Sequence, residues 1–296
     1  MSIIQEQKLE VAGIATRTLA GGSASDPVVL FLHSNVPGIT PYCGGAHVWG
    51  RTLADFAQQR RVIALDCLGS GGTGPAPGAL TVNAIAEHAI AFINTAGLRN
   101  VHLIGHDLGG LAALLIAMDQ PALLASLTIV ASPWAAPSGD GVDNLTLSQI
   151  PEPRWSRQSQ AWALERLSYS HHHIDEALLD ASVAAAGMPA HRAAVTAMVE
   201  GYGGAFNASV HKTKSRFFRE GREQGLAMPM QVVTARQDPM VSPDHSLWLF
   251  KIAAQHQKAS QFHMLNRCGA FPFREQPDEF HHVVAAFQDG LLQAAA

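Results

Sequence analysis

With 296 residues, 47% of them hydrophobic and 15% charged, the chain can bury a large core and fits one α/β domain with an insertion better than two independent domains. Twenty Lys and Arg against 24 Asp and Glu give a net charge of −4, which excludes a basic field for nucleic acid or an anionic membrane and favours small, mostly neutral partners. Three scattered cysteines (Cys43, Cys67, Cys268), an N-terminus without a signal pattern and the lack of a long apolar run argue against a disulfide framework, secretion and membrane spanning, so a cytoplasmic location is expected.

Residues 28–32 read as a buried strand, followed by a polar, Gly/Pro-rich loop over 33–45 and an amphipathic segment over 48–57. Tyr42 and His47 in that loop are candidate cleft residues. The next strand, 61–66, runs into Gly69-Ser70-Gly71-Gly72-Thr73-Gly74-Pro75. This loop lacks the Lys-Ser/Thr of a phosphate-binding loop and the spacing of a dinucleotide site, so no cofactor is expected. A helix over 81–96, a strand over 101–104, a small-residue helix over 108–118 and a strand over 127–130 continue the alternation. This rhythm predicts an α/β fold with a mostly parallel sheet, helices on both faces and active residues in loops at the carboxyl ends of the strands.

From 133 to 226 no β-rich run occurs, and the segment reads as an inserted helical lid between core segments 1–132 and 227–296. The strand rhythm returns at 230–235, then a helix over 244–254, a strand over 260–265 and a closing helix over 277–293. In the lid, Ser170-His171-His172-His173-Ile174-Asp175 reads as a solvated helix start rather than a metal site, because adjacent histidines on a helix point apart. The basic run Lys212-Thr213-Lys214-Ser215-Arg216 with Arg219 reads as a solvated face, the alternative being an arginine that reaches a substrate carboxylate.

Residues 105–110 read Gly-His-Asp-Leu-Gly-Gly. A strand ending in Gly-x-Asp-x-Gly and passing at once into a helix forces a tight turn that thrusts Asp107 into the cleft. A helix-capping aspartate is the plainer reading, but two further pieces follow in order. Asp238 stands after the strand at 230–235, and Cys268-Gly269-Ala270-Phe271-Pro272 follows the next strand. Asp238 alone would be a turn residue before a proline; the series gives it weight.

Together these motifs resemble the α/β-hydrolase superfamily, with aspartate where the nucleophile elbow more often has serine and Ala270 where the catalytic histidine is expected. His33-Ser34-Asn35-Val36-Pro37-Gly38 resembles the oxyanion loop, with Ser34 in a position usually held by glycine, and Asp66-Cys67-Leu68-Gly69-Ser70-Gly71 resembles the family's Asp-x-x-Gly-x-Gly loop. The resemblance implies Asp107 as nucleophile, Asp238 as the acid and position 270 as the place of the base. Ser34, Asn35 and Leu108, with Trp134, Tyr169, Tyr202 and Phe271, are the implied oxyanion and substrate-binding residues. No metal is implied.

Residues 241–247 and 275–280 look most like the branch that hydrolyses carbon–carbon bonds in meta-cleavage products of aromatic catabolism. That branch uses serine, whereas an aspartate elbow resembles epoxide hydrolases and dehalogenases. A carboxylate attacks without prior deprotonation and suits displacement at an sp3 carbon, leaving an alkyl ester that activated water must open. Leu108 beside Asp107 argues against the usual halide site, and lid residues Tyr169 and Tyr202 fit epoxide opening. Ala270 is either a substitution that stalls the second step, the preferred reading, or a native residue of a chain with changed chemistry. His263, His281 and His282 are weak substitutes for the base.

The expected function is a hydrolase of a small apolar or aromatic-derived substrate acting through an Asp107 ester, slow or inactive for want of a histidine at 270. The alternatives are a carbon–carbon bond hydrolase of meta-cleavage products and a non-catalytic small-ligand-binding protein. A small molecule is the expected partner, and a homo-oligomer is left open.

Overall fold

The computed structural model describes residues 4–137 and 149–295, with the side chains of Tyr202 and Ala295 outside the described part. Strands β1 (Gln5–Val11) and β2 (Ile14–Gly21) form an N-terminal hairpin, followed by β3 (Val28–Leu32), helix α1 (Thr52–Phe56), β4 (Arg61–Leu65) and α2 (Val82–Thr95). Then come β5 (Val101–His106), α3 (Leu108–Asp119) and β6 (Leu124–Val130). Four helices precede the next strand: α4 (Arg157–Leu167), α5 (Glu176–Gly187), α6 (Pro189–Ala197) and α7 (Gly203–Gln224). The chain closes with β7 (Met230–Ala235), α8 (Pro243–Ala253), β8 (Gln261–Leu265), α9 (Pro272–Glu275) and α10 (Pro277–Ala295).

The eight strands lie in the order β1-β2-β4-β3-β5-β6-β7-β8. From β4 to β8 every neighbouring pair is parallel, and β2 runs antiparallel to β1 and β4. β5 is buried along its whole length, as a central strand covered on both faces must be. Helices α2, α3 and α8 contribute to one apolar layer, and α1 and α10 to the other. Leu108 to Ala117 of α3 are all buried, so this helix is apolar all round and sits inside the molecule rather than on it.

Two local features depart from the sequence expectation. The segment expected as one amphipathic stretch over 48–57 is a 3-10 turn, Ala46–Trp49, and the short α1, separated by Gly50 at φ 52°, a left-handed conformation that glycine adopts without strain. The N-terminal hairpin was not marked by periodicity, because six of the seven β1 residues are exposed and no apolar stripe is written into them. The glycine-rich loop after β4 has a structural occupation. The buried Asp66 carboxylate accepts from Ala46 N at 2.6 Å, Gly72 N at 2.9 Å and the Arg17 guanidinium at 2.8 Å, and a Cβ on Gly71 would collide with that carboxylate. Among the described residues no helix is long and apolar enough to cross a membrane.

Candidate active site

Asp107 lies between β5 and α3 at φ 50°, ψ −115°, a conformation that costs a non-glycine residue roughly 1–3 kcal/mol. The surroundings over-determine it. Asp107 N donates to Val130 O at 3.1 Å, and its carbonyl accepts from Gly110 N at 3.0 Å and Ser132 Oγ at 2.5 Å. A Cβ on Gly105 would run into the Gly109 carbonyl, and one on Gly109 into the carbonyls of Leu32 and His33, so the flanking glycines are required by backbone approach. The sharp turn aims the carboxylate into a cavity of about 420 Å³.

The two oxygens of that carboxylate differ. Oδ2 accepts a hydrogen bond from Ser34 Oγ, whereas Oδ1 is buried without a hydrogen-bond partner. Burial pushes the Asp107 pKa up to about 6, with the Ser34 hydroxyl and the Leu108 N–H pulling the other way, so the carboxylate is largely ionised at neutral pH. Tyr42, buried beside Ser34, has its phenol raised well above its usual range by burial first and the Asp107 charge second.

Asp238 stands in the loop after β7. Its Oδ1 accepts from Met240 N at 2.8 Å and Val241 N at 3.3 Å, while Oδ2 is buried with no partner. Burial raises its pKa to about 7 against those two amides, and the charges of Asp107 and Glu275 add to the rise. Ala270, 7% exposed, lines the cavity in the loop after β8. Its N–H donates to Leu167 O at 2.8 Å and its carbonyl accepts from His106 Nε2 at 2.8 Å. That bond places the ring hydrogen on Nε2 and leaves Nδ1 as a buried, unpartnered acceptor. Burial lowers the His106 pKa to about 4, which makes it a poor proton acceptor although it lines the cavity.

Of the residues singled out in the sequence, Asp107, Ala270, Trp134 and Phe271 line one cavity, and Ser34 reaches it through Asp107. Trp134 packs edge-on against Phe206, and Phe271 against Tyr42, with centroids 5.7 and 5.5 Å apart. Two expectations are corrected, and a third is confined to the backbone. Asn35 does not line the cavity; its Nδ2 donates to Ser70 Oγ at 2.8 Å and fastens the glycine-rich loop. Tyr169 is 51% exposed and outside the cavity, its backbone N–H fixed to Glu275 Oε2 at 2.9 Å. The Leu108 side chain is buried in the core under the elbow, so only its backbone N–H faces the chemistry. Tyr202 ends a π-helical turn, Met198–Tyr202, and its side chain lies outside the described part.

The other histidines stand apart. His263 is bonded to Gln261, His281 meets Phe56 edge-on and His47 meets Ser182; none of these three lines the cavity. In the lid, His172 and His173 bond Ser170 and Ser168, and Asp175 caps α5 through Leu178 N at 2.7 Å. Sequence reading missed His106, Met240 and the α7 residues Asn207, His211 and Lys214 as cavity walls. The spacing of the last three, at i, i+4 and i+7, was the available signal.

A strained aspartate turn after β5, an acid after β7 and a cavity-lining loop after β8 follow one another in that chain order on this sheet. The chain belongs to the alpha/beta hydrolase family, whose model matches residues 29–283. The 2-hydroxymuconate semialdehyde hydrolase of Pseudomonas sp. (strain CF600) is 22% identical over 94% of this chain and 92% of its own length. The fluoroacetate dehalogenase of Burkholderia sp. is 27% identical over 43% of this chain and 40% of its own. Several other curated relatives are matched over only about a third of their length. Among solved structures, the 2-hydroxy-6-oxo-6-phenylhexa-2,4-dienoate hydrolase from Rhodococcus sp. strain RHA1 superposes with a TM-score of 0.79, 20% identity and coverage of 98% of this chain and 100% of that one, a likeness of fold.

Proposed function

We propose that this hydrolase attacks its substrate through Asp107 and forms a covalent ester, in the manner of an epoxide hydrolase or dehalogenase, with the water step slowed by the alanine at 270. The observation that carries this reading is the division of labour within the carboxylate. Asp107 lines the cavity, its Oδ1 makes no hydrogen bond and keeps its lone pairs free, and its Oδ2 is held by Ser34. When Oδ1 displaces an oxygen or halide from an sp3 carbon, Oδ2 becomes the ester carbonyl, and the Ser34 hydroxyl with the Leu108 N–H is placed to stabilise the oxyanion that forms when water adds to that ester. Water addition needs a proton acceptor. Ala270 supplies none, and His106, held at about 4 by burial, is a weak one.

Intact-mass spectrometry after incubation with styrene oxide or a benzyl halide tests the reading. The expected product carries one substrate equivalent, less the halide acid in the second case, on the peptide containing Asp107. A chain that retains substrate only noncovalently would return the site to the ligand-binding alternative.

Carbon–carbon hydrolysis is the second reading, favoured by the near-full-length similarity to the semialdehyde hydrolase. Asp107, at about 6, would then move a proton rather than form an ester. Loss of the absorbance of a vinylogous dienone without any protein adduct separates the two.

A further inference from the structure

Helix α7 crosses the lid side of the cavity and presents Asn207, Val210, His211 and Lys214 to it. Positions 207, 211 and 214 follow one another at i, i+4 and i+7, which stacks an amide, an imidazole and an ammonium along one helix face. The remaining walls are mainly apolar, including Ile39, Leu167 and Phe271. A lysine facing such a wall is costly unless something answers its charge.

Nothing protein-borne does so among the described residues. The Lys214 ammonium has one protein contact, the Pro133 carbonyl at 3.5 Å, and no carboxylate within ion-pair distance. Two other cations of the same helix are paired: Arg216 with Asp119 and Glu220, and Arg219 with Glu220. Burial also lowers the Lys214 pKa, the response of an ammonium drawn out of water without a counter-charge. Among the described residues the one carboxylate lining the cavity is Asp107, whose bonded oxygen is taken by Ser34.

We infer that the strip Asn207, His211 and Lys214 is an anion-recognition site and that the substrate of this hydrolase is a small organic carboxylate, its charged end at Lys214 and its apolar body in the cavity. The inference rests on the proposed function in placing the reacting carbon at Asp107. An anion at the strip gains a charge-assisted hydrogen bond from Lys214 and further donors from the Asn207 amide and the His211 ring. The like charge of Asp107 keeps the carboxylate from binding in reverse, so the strip also sets orientation.

Binding calorimetry at pH 7.5 with benzoate and its neutral isostere benzamide tests the site on the intact chain. Benzoate is expected to bind at least tenfold more tightly than benzamide. The preference should fall below twofold in Lys214→Met and in Lys214→Gln, and persist in Lys214→Arg and in Lys212→Met, whose side chain lies outside the cavity. Unaltered melting curves by circular dichroism show that the variants fold. Equal affinity for the two probes, no binding of benzoate, or a preference that survives in folded Lys214→Met and Lys214→Gln overturns the assignment. Because binding is read without turnover, a missing Asp107 adduct leaves this result standing, and a lost benzoate preference leaves the ester test standing.

Discussion

The imidazole of His106 donates from Nε2 to the carbonyl oxygen of Ala270 across 2.8 Å, tying the residue before the elbow to the loop where a base would stand. That loop is fixed further by Ala270 N on Leu167 O and by Gly269 N on the Glu275 carboxylate at 2.7 Å. All three contacts use backbone atoms of the loop, so its position owes nothing to the side chain at 270.

Ala270→His should therefore fit into a preformed place, with Asp238 Oδ2 free to accept from the new ring. Ester turnover is expected to rise by about 10²-fold or more, the usual return of a positioned general base. Time-resolved intact mass reads it: an adduct that persists in the unaltered chain should decay in the variant. Persistence in both would remove position 270 from the mechanism.

Adduct formation should follow deprotonation of Asp107. The rate is expected to be half-maximal near pH 6, flat above about pH 7 and falling tenfold per unit well below. Ser34→Ala removes a hydrogen bond to the charged form, worth ~1.5–3 kcal/mol, and should shift the midpoint up by about one to two units. Asp107→Asn should form no adduct at any pH. A pH-independent rate would show that another group attacks.

Stability should carry the opposite signature from that of a salt-bridged acid. Burial holds Asp238 at about 7 and Asp107 at about 6, both above the ~3.9 of an unfolded aspartate. The native state binds protons that the unfolded chain has already shed, so stability is greatest below about pH 4 on account of these groups and is lost as pH rises to about 7. Asp238→Asn should stabilise the chain by ~1–3 kcal/mol at pH 8 and by much less at pH 4.5, measured by urea denaturation. In Ala270→His the imidazole partners Asp238, and the pH slope should flatten. An equal gain for Asp238→Asn at both pH values would sink this account.

Gly109→Ala should cost about 4 kcal/mol or more, seen as loss of soluble protein or a collapsed urea midpoint, because the added methyl meets two backbone carbonyls with no side chain to yield. Gly78→Ala, where a Cβ meets nothing within 4 Å, is the matched control.

The sheet, the sharp turn at Asp107 and the place of Asp238 after β7 were legible because each is written locally: apolar runs of strand length, a Gly-x-Asp-x-Gly turn and an acid after a strand. Lid orientation was not. Tyr169 had the residue type wanted for a cavity, yet it faces solvent, since its backbone is committed to Glu275. Lys214 looked like one more cation in a solvated run, and only the packing of α7 against the cavity sets it apart from Arg216. His106 reads as an ordinary strand residue until the loop carrying Ala270 is folded against it. In each case the deciding contact joins segments distant in sequence, which periodicity does not encode.

Glu275 binds three backbone amides at once, those of Gly269, Tyr169 and Ser170, at 2.7, 2.9 and 2.9 Å. The end of α4 and the loop after β8 are thereby one mechanical piece. A lid movement that drew Leu167 away from the cavity would carry position 270 with it, because Ala270 N is bonded to Leu167 O and Gly269 N to Glu275. The opposite wall is held by the core itself: Phe206 and Phe217 of α7 are buried in it, Ser209 Oγ accepts from Val82 N at 3.0 Å, and Arg216 pairs with Asp119.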